Sequence, residues 1–224
     1  VTAKVSAYYR QFTDIQFAQE ASELIGASAA FEQILSEHGL ESENLTFYAP
    51  MFEARYKSIT GLIRKSGSSQ VLELASGYSL RGLDLTRCGD IRYVETDLPG
   101  VIQTKLSLLE EIRRRHAIRP SAQHVVTAAD ALDFEEVRAS AASLDTGGRL
   151  TVLCEGLIMY FSKAQTEVLA RNVRRLLGGG RQLGRLRGRV VARARRGDRR
   201  RPARRGLHPR QAEARLPARS GEGL

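Results

Sequence analysis

Residues 70–82 read QVLELASGYSLRG, and this stretch sets the expected fold. Val71, Leu72 and Leu74 make an apolar run of strand length, bounded by Gly77, where the backbone can turn sharply and approach a ligand closely. The same grammar recurs three times: IRYVETD ends at Asp97, QHVVTAAD at Asp130, and RLTVLCEG at Gly156. Helical stretches are expected between these runs, over roughly 80–88, 99–116, 132–143 and 162–177. Pro99 suits a first helical turn, and Ser162 with Gln165 three residues on forms a capping box. Four strand-helix alternations predict right-handed crossovers and a parallel α/β sheet. Ligands bind such sheets outside the carboxyl ends of the strands, where the strand order reverses. Each run here ends in small or acidic residues. One such ending is equally explained by turn formation; four in succession favour a shared ligand site.

Upstream, Ile15, Phe17, Ala18, Ala21 and Leu24, then Phe31, Ile34 and Leu35, carry helical spacing. Two or three helices are expected there, followed by another from about Pro50 to Lys65. The expected organisation is an N-terminal helical cap over 1–67, a ligand-binding core over 68–177 and an Arg-rich tail over 178–224. The 224 residues suit one α/β domain with a sizeable core. Cys88 and Cys154 fall in a helix end and a buried strand, which does not resemble a secreted disulfide framework. A reducing, cytoplasmic location is the expectation. No apolar run reaches the roughly 20 residues of a membrane span, and the start lacks a signal-peptide core. The chain opens on Val1 rather than Met, as expected if its true start is missing.

The formal charge of +10 is unevenly placed. From Gly178 onward there are 15 arginines, no lysine and three acids, Asp198, Glu213 and Glu222. The body of the chain is therefore near neutral, and overall basicity describes the tail alone.

The residues at the strand ends suggest a chemistry. Gly77 is followed by a helix whose amides point toward the crevice. The segment lacks the spacing G-x-G-x-x-G, since Tyr78 and Ser79 intervene and Gly82 comes late, which disfavours a pyrophosphate ligand. A ligand with a sulfonium and an amino-acid end suits the looser turn, with Glu73 in the strand before it. Asp97 follows the second strand at roughly the 20-residue spacing of a ribose-binding acid. Asp130 is placed to accept from an exocyclic amine, with Ala131 and Leu132 packing on the ring. The competing reading is that Asp97 and Asp130 cap the helices that follow them.

ELASGYSLRG, YVETDLPGVIQTK and CEGLIMYFSKAQTEVLARNVRRLL together resemble the leucine carboxyl methyltransferase group, including its polyketide-type O-methyltransferase branch. The acid-Leu-Pro pattern after the second strand and Glu-Gly-x-x-x-Tyr after the fourth carry the resemblance. AYYRQFTDIQFAQE and APMFEARYKSI extend it, so that it covers residues 2–177. It implies a Rossmann-like class I methyltransferase fold with an N-terminal helical lid, and S-adenosylmethionine as cofactor. It also implies roles for single residues. Arg55 would pair with the cofactor's carboxylate, a task suited to a guanidinium fork. Ala75 and Gly77 would contact the methionine part, Asp97 and Leu98 the ribose and adenine, Asp130 and Ala131 the adenine, and Glu155 the amino-acid end. Tyr160 would close over the cofactor or touch substrate, and Lys4 is a further candidate.

Methyl transfer from a sulfonium is an in-line displacement, governed largely by positioning in a dry pocket. None of His38, His116, His124 and His208 falls at a strand's carboxyl end, so no catalytic base is assigned. An acceptor that is already an anion, a carboxylate or acidic phenol, is expected, carried by a small molecule. The tail contains no Lys, Asn, Ile, Phe, Tyr, Met, Thr or Trp, the composition of a GC-rich gene read out of frame. The expectation is that the later strands are missing and that the fourth strand has an unpaired edge. An inactive methyltransferase remnant is one alternative. Another is a nucleic-acid-binding protein acting non-specifically through the arginines, though without aromatic stacking. A nicotinamide-dependent oxidoreductase is disfavoured by the missing glycines.

Overall fold

A computed structural model describes residues 2–37, 45–87, 91–145, 148–178 and 187–193. Three helices open the chain: α1 (Thr2–Arg10), α2 (Ala18–Leu24) and α3 (Ala27–Glu37). A 3-10 turn (Leu45–Tyr48) leads into α4 (Ala49–Ser66). The sheet then alternates with helices as β1 (Gln70–Leu74), α5 (Arg81–Arg87), β2 (Arg92–Asp97), α6 (Pro99–Arg115) and β3 (His124–Ala128). It continues through α7 (Phe134–Ser140), β4 (Arg149–Glu155), α8 (Lys163–Gly178) and β5 (Arg187–Arg193). Short 3-10 turns follow α7, at Ala141–Ser143, and β4, at Ile158–Tyr160.

The helix boundaries follow from local chemistry. Pro50 and Pro99 occupy the first turns of α4 and α6, where a missing N–H leaves no bond unmade. Helix α4 stops at Gly67, whose φ of 63° suits a residue without Cβ. The capping box of α8 is formed reciprocally: Ser162 N–H donates to Gln165 Oε1 at 2.9 Å, and Gln165 N–H to Ser162 Oγ at 3.3 Å. Helix α7 begins at Phe134, a little later than expected, because the Asp133 carboxylate accepts from the N–H groups of Glu135 and Glu136.

The strands lie in the order β3-β2-β1-β4-β5, all neighbours parallel. The chain runs outward from β1 to β3 and then crosses back, so the order reverses between β1 and β4 and opens a crevice there. The two sheet faces differ. Leu72, Leu74, Val94, Leu150 and Val152 pack beneath Val137 of α7 and Leu169, Val173 and Leu176 of α8. Six of those, Leu72, Leu74, Val94, Val137, Leu150 and Val152, have no solvent exposure, and each such side chain contributes about 1.5–3 kcal/mol by burial. On the opposite face Val71, Tyr93 and Leu153 meet Ile59 and Ile63 of α4 and Leu85 of α5. Strand alternation puts Glu73 and Glu95 on this second face as well. The apolar face thus stabilises a sheet whose other side carries buried charge.

The expectation of no strand after Gly178 is corrected. Residues 187–193 pair in parallel with β4 from Arg149↔Arg187 to Glu155↔Arg193. The pairing is made by main-chain groups, so a basic sequence with Val190 and Val191 at its centre can supply it, and the edge of β4 is covered. The remainder of the tail lies outside the described residues, as do Cys88, His38 and His208. Among the described residues no helix is long and apolar enough to cross a membrane, and no cluster of potential metal ligands occurs.

Candidate active site

The turn after β1 contains two residues in the left-handed region, Ala75 at φ 54° and Gly77 at φ 53°. Glycine adopts this without penalty, whereas a residue with a Cβ is strained by about 1–2 kcal/mol, so the turn must be held by its surroundings. Ser76 N–H donates to Thr96 O at 2.9 Å. Gly77 N–H donates to Asp97 Oδ2 at 2.7 Å, and Lys105 Nζ donates to Ser76 Oγ at 2.9 Å. A Cβ on Gly77 would stand 3.5 Å from Ala3, so α1 lies over the turn; Lys4, the next residue of α1, is half-buried.

Asp97 is not the cap of α6. The N-cap position is Leu98, without a side-chain cap bond, and Asp97 uses Oδ1 for Leu98 N–H at 2.8 Å and Oδ2 for Gly77. Its carboxylate therefore faces the β1 turn. Each carboxylate oxygen has a second lone pair available to a hydroxyl. Leu98 is 54 % exposed. The ends of β2 and β3 are tied by Ala129 N–H donating to Asp97 O at 2.9 Å. Asp130 likewise does not cap α7; its Oδ1 accepts from Leu132 N–H at 2.8 Å, while its own N–H donates to Glu136. Ala131 is buried in the core under α8, and Asn172 Nδ2 donates to its carbonyl at 3.1 Å.

At the crevice between β1 and β4, charges converge. Glu155 Oε1 accepts from Arg55 Nε at 2.8 Å and from Arg10 at 3.4 Å, and Oε2 accepts from Arg81 at 2.6 Å. Arg81 also donates to Glu73 Oε1 at 2.7 Å, and the Tyr93 hydroxyl donates to Glu73 Oε2 at 2.7 Å. Three guanidiniums thus share two carboxylates, a surplus of one positive charge. Arg10 Nε is buried without a partner. The guanidiniums also lie over aromatic rings, Arg81 over Tyr56 at 4.3 Å and Arg55 over Phe52 at 4.7 Å.

Burial pushes the Glu155 carboxyl up, but Arg10, Arg81 and Arg55 together pull it from the ordinary 4.5 down to about 2. Glu73 moves the other way, raised by its complete burial despite Arg81. The depressed Glu155 stabilises the fold fully above pH 4.5, and that contribution disappears as pH falls toward about 2. Glu73, with its raised value, opposes this loss as it takes up a proton. Urea melts of the wild type and Glu155→Gln at stepped pH are expected to differ by a gap that closes between pH 4.5 and 2. A gap of constant size would remove Glu155 as the source.

The structure pairs Arg55 with Glu155 and Gly77 with Asp97 and places other expected residues differently. Glu73, expected beside a ligand, is 1 % exposed with both oxygens engaged inside the sheet face, so it supports Arg81 instead. Tyr160, on the turn after β4, is 57 % exposed. Arg10, Arg81 and Lys105 were not expected as members of the site. A signal for them exists: each is a cation on an apolar helical stripe. Arg81 stands four residues before Leu85, Arg10 three after Ala7, and Lys105 between Ile102 and Leu109. An apolar cavity of about 460 Å³ along α8, lined by Cys154, Ile158, Leu169, Val173 and Leu177 among others, is separate from these charges.

The family model described as leucine carboxyl methyltransferase matches residues 25–174, and the chain belongs to that family. A comparison with curated proteins returns no match. Among solved structures, one reported under the conversion of a disulfide bond into a thioacetal group during echinomycin biosynthesis is 21 % identical, with a TM-score of 0.37, covering 52 % of this chain and 43 % of that one. A candidate O-methyltransferase of Nostoc punctiforme is 16 % identical with a TM-score of 0.40, covering 56 % and 34 %. The S-adenosylmethionine-dependent methyltransferase SibL in its apo form is 16 % identical with a TM-score of 0.40, covering 61 % and 37 %. The chain thus spans less than half the length of each of these structures.

Proposed function

We propose that the chain binds S-adenosylmethionine across the carboxyl ends of β1, β2, β3 and β4 and transfers its methyl group to an oxygen of a small-molecule acceptor. The observations that carry this reading are the Asp97 carboxylate held against the left-handed Gly77 turn at the ends of β1 and β2, and the three-arginine cluster with one unbalanced positive charge on Glu155 at the end of β4. A zwitterionic amino-acid end fits that cluster: Arg55 and Arg10 offer donors to its carboxylate, and Glu155 accepts from its ammonium. Asp97 receives the ribose hydroxyls, and the exposed Leu98 side chain supplies apolar surface to the adenine. Asp130, with one oxygen taken by Leu132, keeps the other for the exocyclic amine.

Bound S-adenosylmethionine would supply an electrophilic methyl group, and the chain's own part is to orient and to exclude water. Helices α1 and α4, which deliver Arg10 and Arg55 to the same carboxylate, close the methionine end from one side. No base is assigned, which favours a carboxylate or acidic phenol as acceptor. The cytoplasm is the compartment consistent with this chemistry. Nucleic acid enters the reading only as a non-specific contact of the arginines beyond α8.

Isothermal calorimetry with S-adenosylmethionine tests the proposal. The wild type is expected to bind, and Asp97→Ala to bind roughly 10–100-fold more weakly, the loss of hydrogen bonds to a charged group at about 1.5–3 kcal/mol. Labelled methyl transfer to carboxylate and phenol panels reads the acceptor. No heat with S-adenosylmethionine, or heat with a nicotinamide dinucleotide in its place, would defeat the assignment. Binding without transfer would identify a cofactor-binding remnant.

A further inference from the structure

We infer that Lys105 is a positioning residue for the cofactor turn, holding Ala75-Ser76-Gly77 in its left-handed form through the Ser76 hydroxyl and thereby setting affinity for the methionine end of S-adenosylmethionine; this rests on the function proposed above. Lys105 comes from the middle of α6 and is fully buried, so its ammonium is cut off from bulk solvent. It has two partners: the Glu95 carboxylate, with which it forms a close ion pair, and Ser76 Oγ at 2.9 Å. Glu95 is itself fixed. His124 Nε2 lies 3.0 Å from Glu95 Oε1, and Arg113 lies 3.1 Å from His124 Nδ1. An arginine only donates, so Nδ1 is the acceptor and the ring proton sits on Nε2, pointing at Glu95.

The chain Arg113, His124, Glu95, Lys105 and Ser76 therefore runs from α6 and β3 through the second sheet face to the turn. Its last member stands between two left-handed positions, φ 54° at Ala75, which carries the strain of a Cβ, and φ 53° at Gly77. The other tethers of the turn act on main-chain groups, the N–H groups of Ser76 and Gly77 and the Ser76 carbonyl, which accepts from Ser79 N–H at 3.2 Å. Lys105 grips the side chain of the middle residue and resists rotation of the segment about them. Burying a lysine and a glutamate together yields little net stability, so a placement next to the turn is better explained by what it orients.

Calorimetry with S-adenosylmethionine on the wild type, Ser76→Ala, Lys105→Met and the double variant tests this, with thermal melts alongside. Ser76→Ala leaves the Lys105–Glu95 pair intact and is expected to lose less thermal stability than Lys105→Met while binding S-adenosylmethionine about 10-fold more weakly. Adenosine, which lacks the methionine part, is expected to bind both equally. In the double variant the loss is expected to match Lys105→Met alone, because one acts through the other. Additive losses, or an unchanged affinity in Ser76→Ala, overturn the inference while leaving the cofactor reading standing. A wild type that binds no S-adenosylmethionine overturns both.

Discussion

Arg81→Met is expected to lower the unfolding free energy by about 3–5 kcal/mol, the penalty for removing one partner from a buried ion pair. The guanidinium has no solvent exposure and connects two carboxylates on neighbouring strands, at 2.7 Å to Glu73 and 2.6 Å to Glu155. Methionine fills similar volume but leaves Glu73 with only the Tyr93 hydroxyl. Glu155 is less affected because Arg55 and Arg10 remain. The asymmetry gives a second expectation: adding Glu73→Gln to Arg81→Met recovers part of the loss, since the stranded charge is then absent. Urea denaturation of the three variants measures both. A single-variant loss below about 1 kcal/mol, the scale of an exposed pair, would mean that Arg81 is not the buried link described.

The second large effect is expected at Gly82, where the conformation is unremarkable and the constraint is space. A Cβ there would stand 2.0 Å from Glu95 Oε1, 2.7 Å from His124 Nε2 and 2.9 Å from the Glu95 carboxyl carbon. None of these atoms is the free end of a flexible chain, because Glu95 is clasped by Lys105 and His124. Gly82→Ala must therefore separate α5 from β2 or break the Glu95–His124 contact, and a loss of about 1–3 kcal/mol is expected from overpacking. Gly61, inside α4 with nothing within 4 Å of an added Cβ, is the matched control. Gly61→Ala is expected to stabilise by about 0.5–1 kcal/mol through helix propensity. Thermal melts with opposite signs for the two substitutions would support the packing argument; equal effects would not.

The strands and crossover helices were legible because buried parallel strands read as short apolar runs that stop at Gly or Asp. The Ser162–Gln165 box and the proline-led turns of α4 and α6 were legible for an equally local reason. Within the site, Gly77 and Asp97 stood out at strand ends, and they do bond to each other. The positive half of the cluster was harder. Arg10 and Arg81 both pair with Glu155, 145 and 74 residues away, and only the sheet order brings β4 beside β1. Glu73 was legible only in part: its position near the turn was visible, but not that strand alternation aims it into the α5 face. The pairing of residues 187–193 with β4 was hidden because main-chain complementarity leaves little trace in composition.

The unequal faces of the sheet have a consequence for how the sequence can change over generations. Under α7 and α8 the side chains are interchangeable hydrocarbons, so one position can drift and its neighbours can follow later, with each intermediate still viable. On the side that holds Glu73, Arg81, Glu95 and Lys105, a lone change strands a charge and is selected against. Descendants of this chain should vary freely on the first side, and on the second only by exchanges made in pairs.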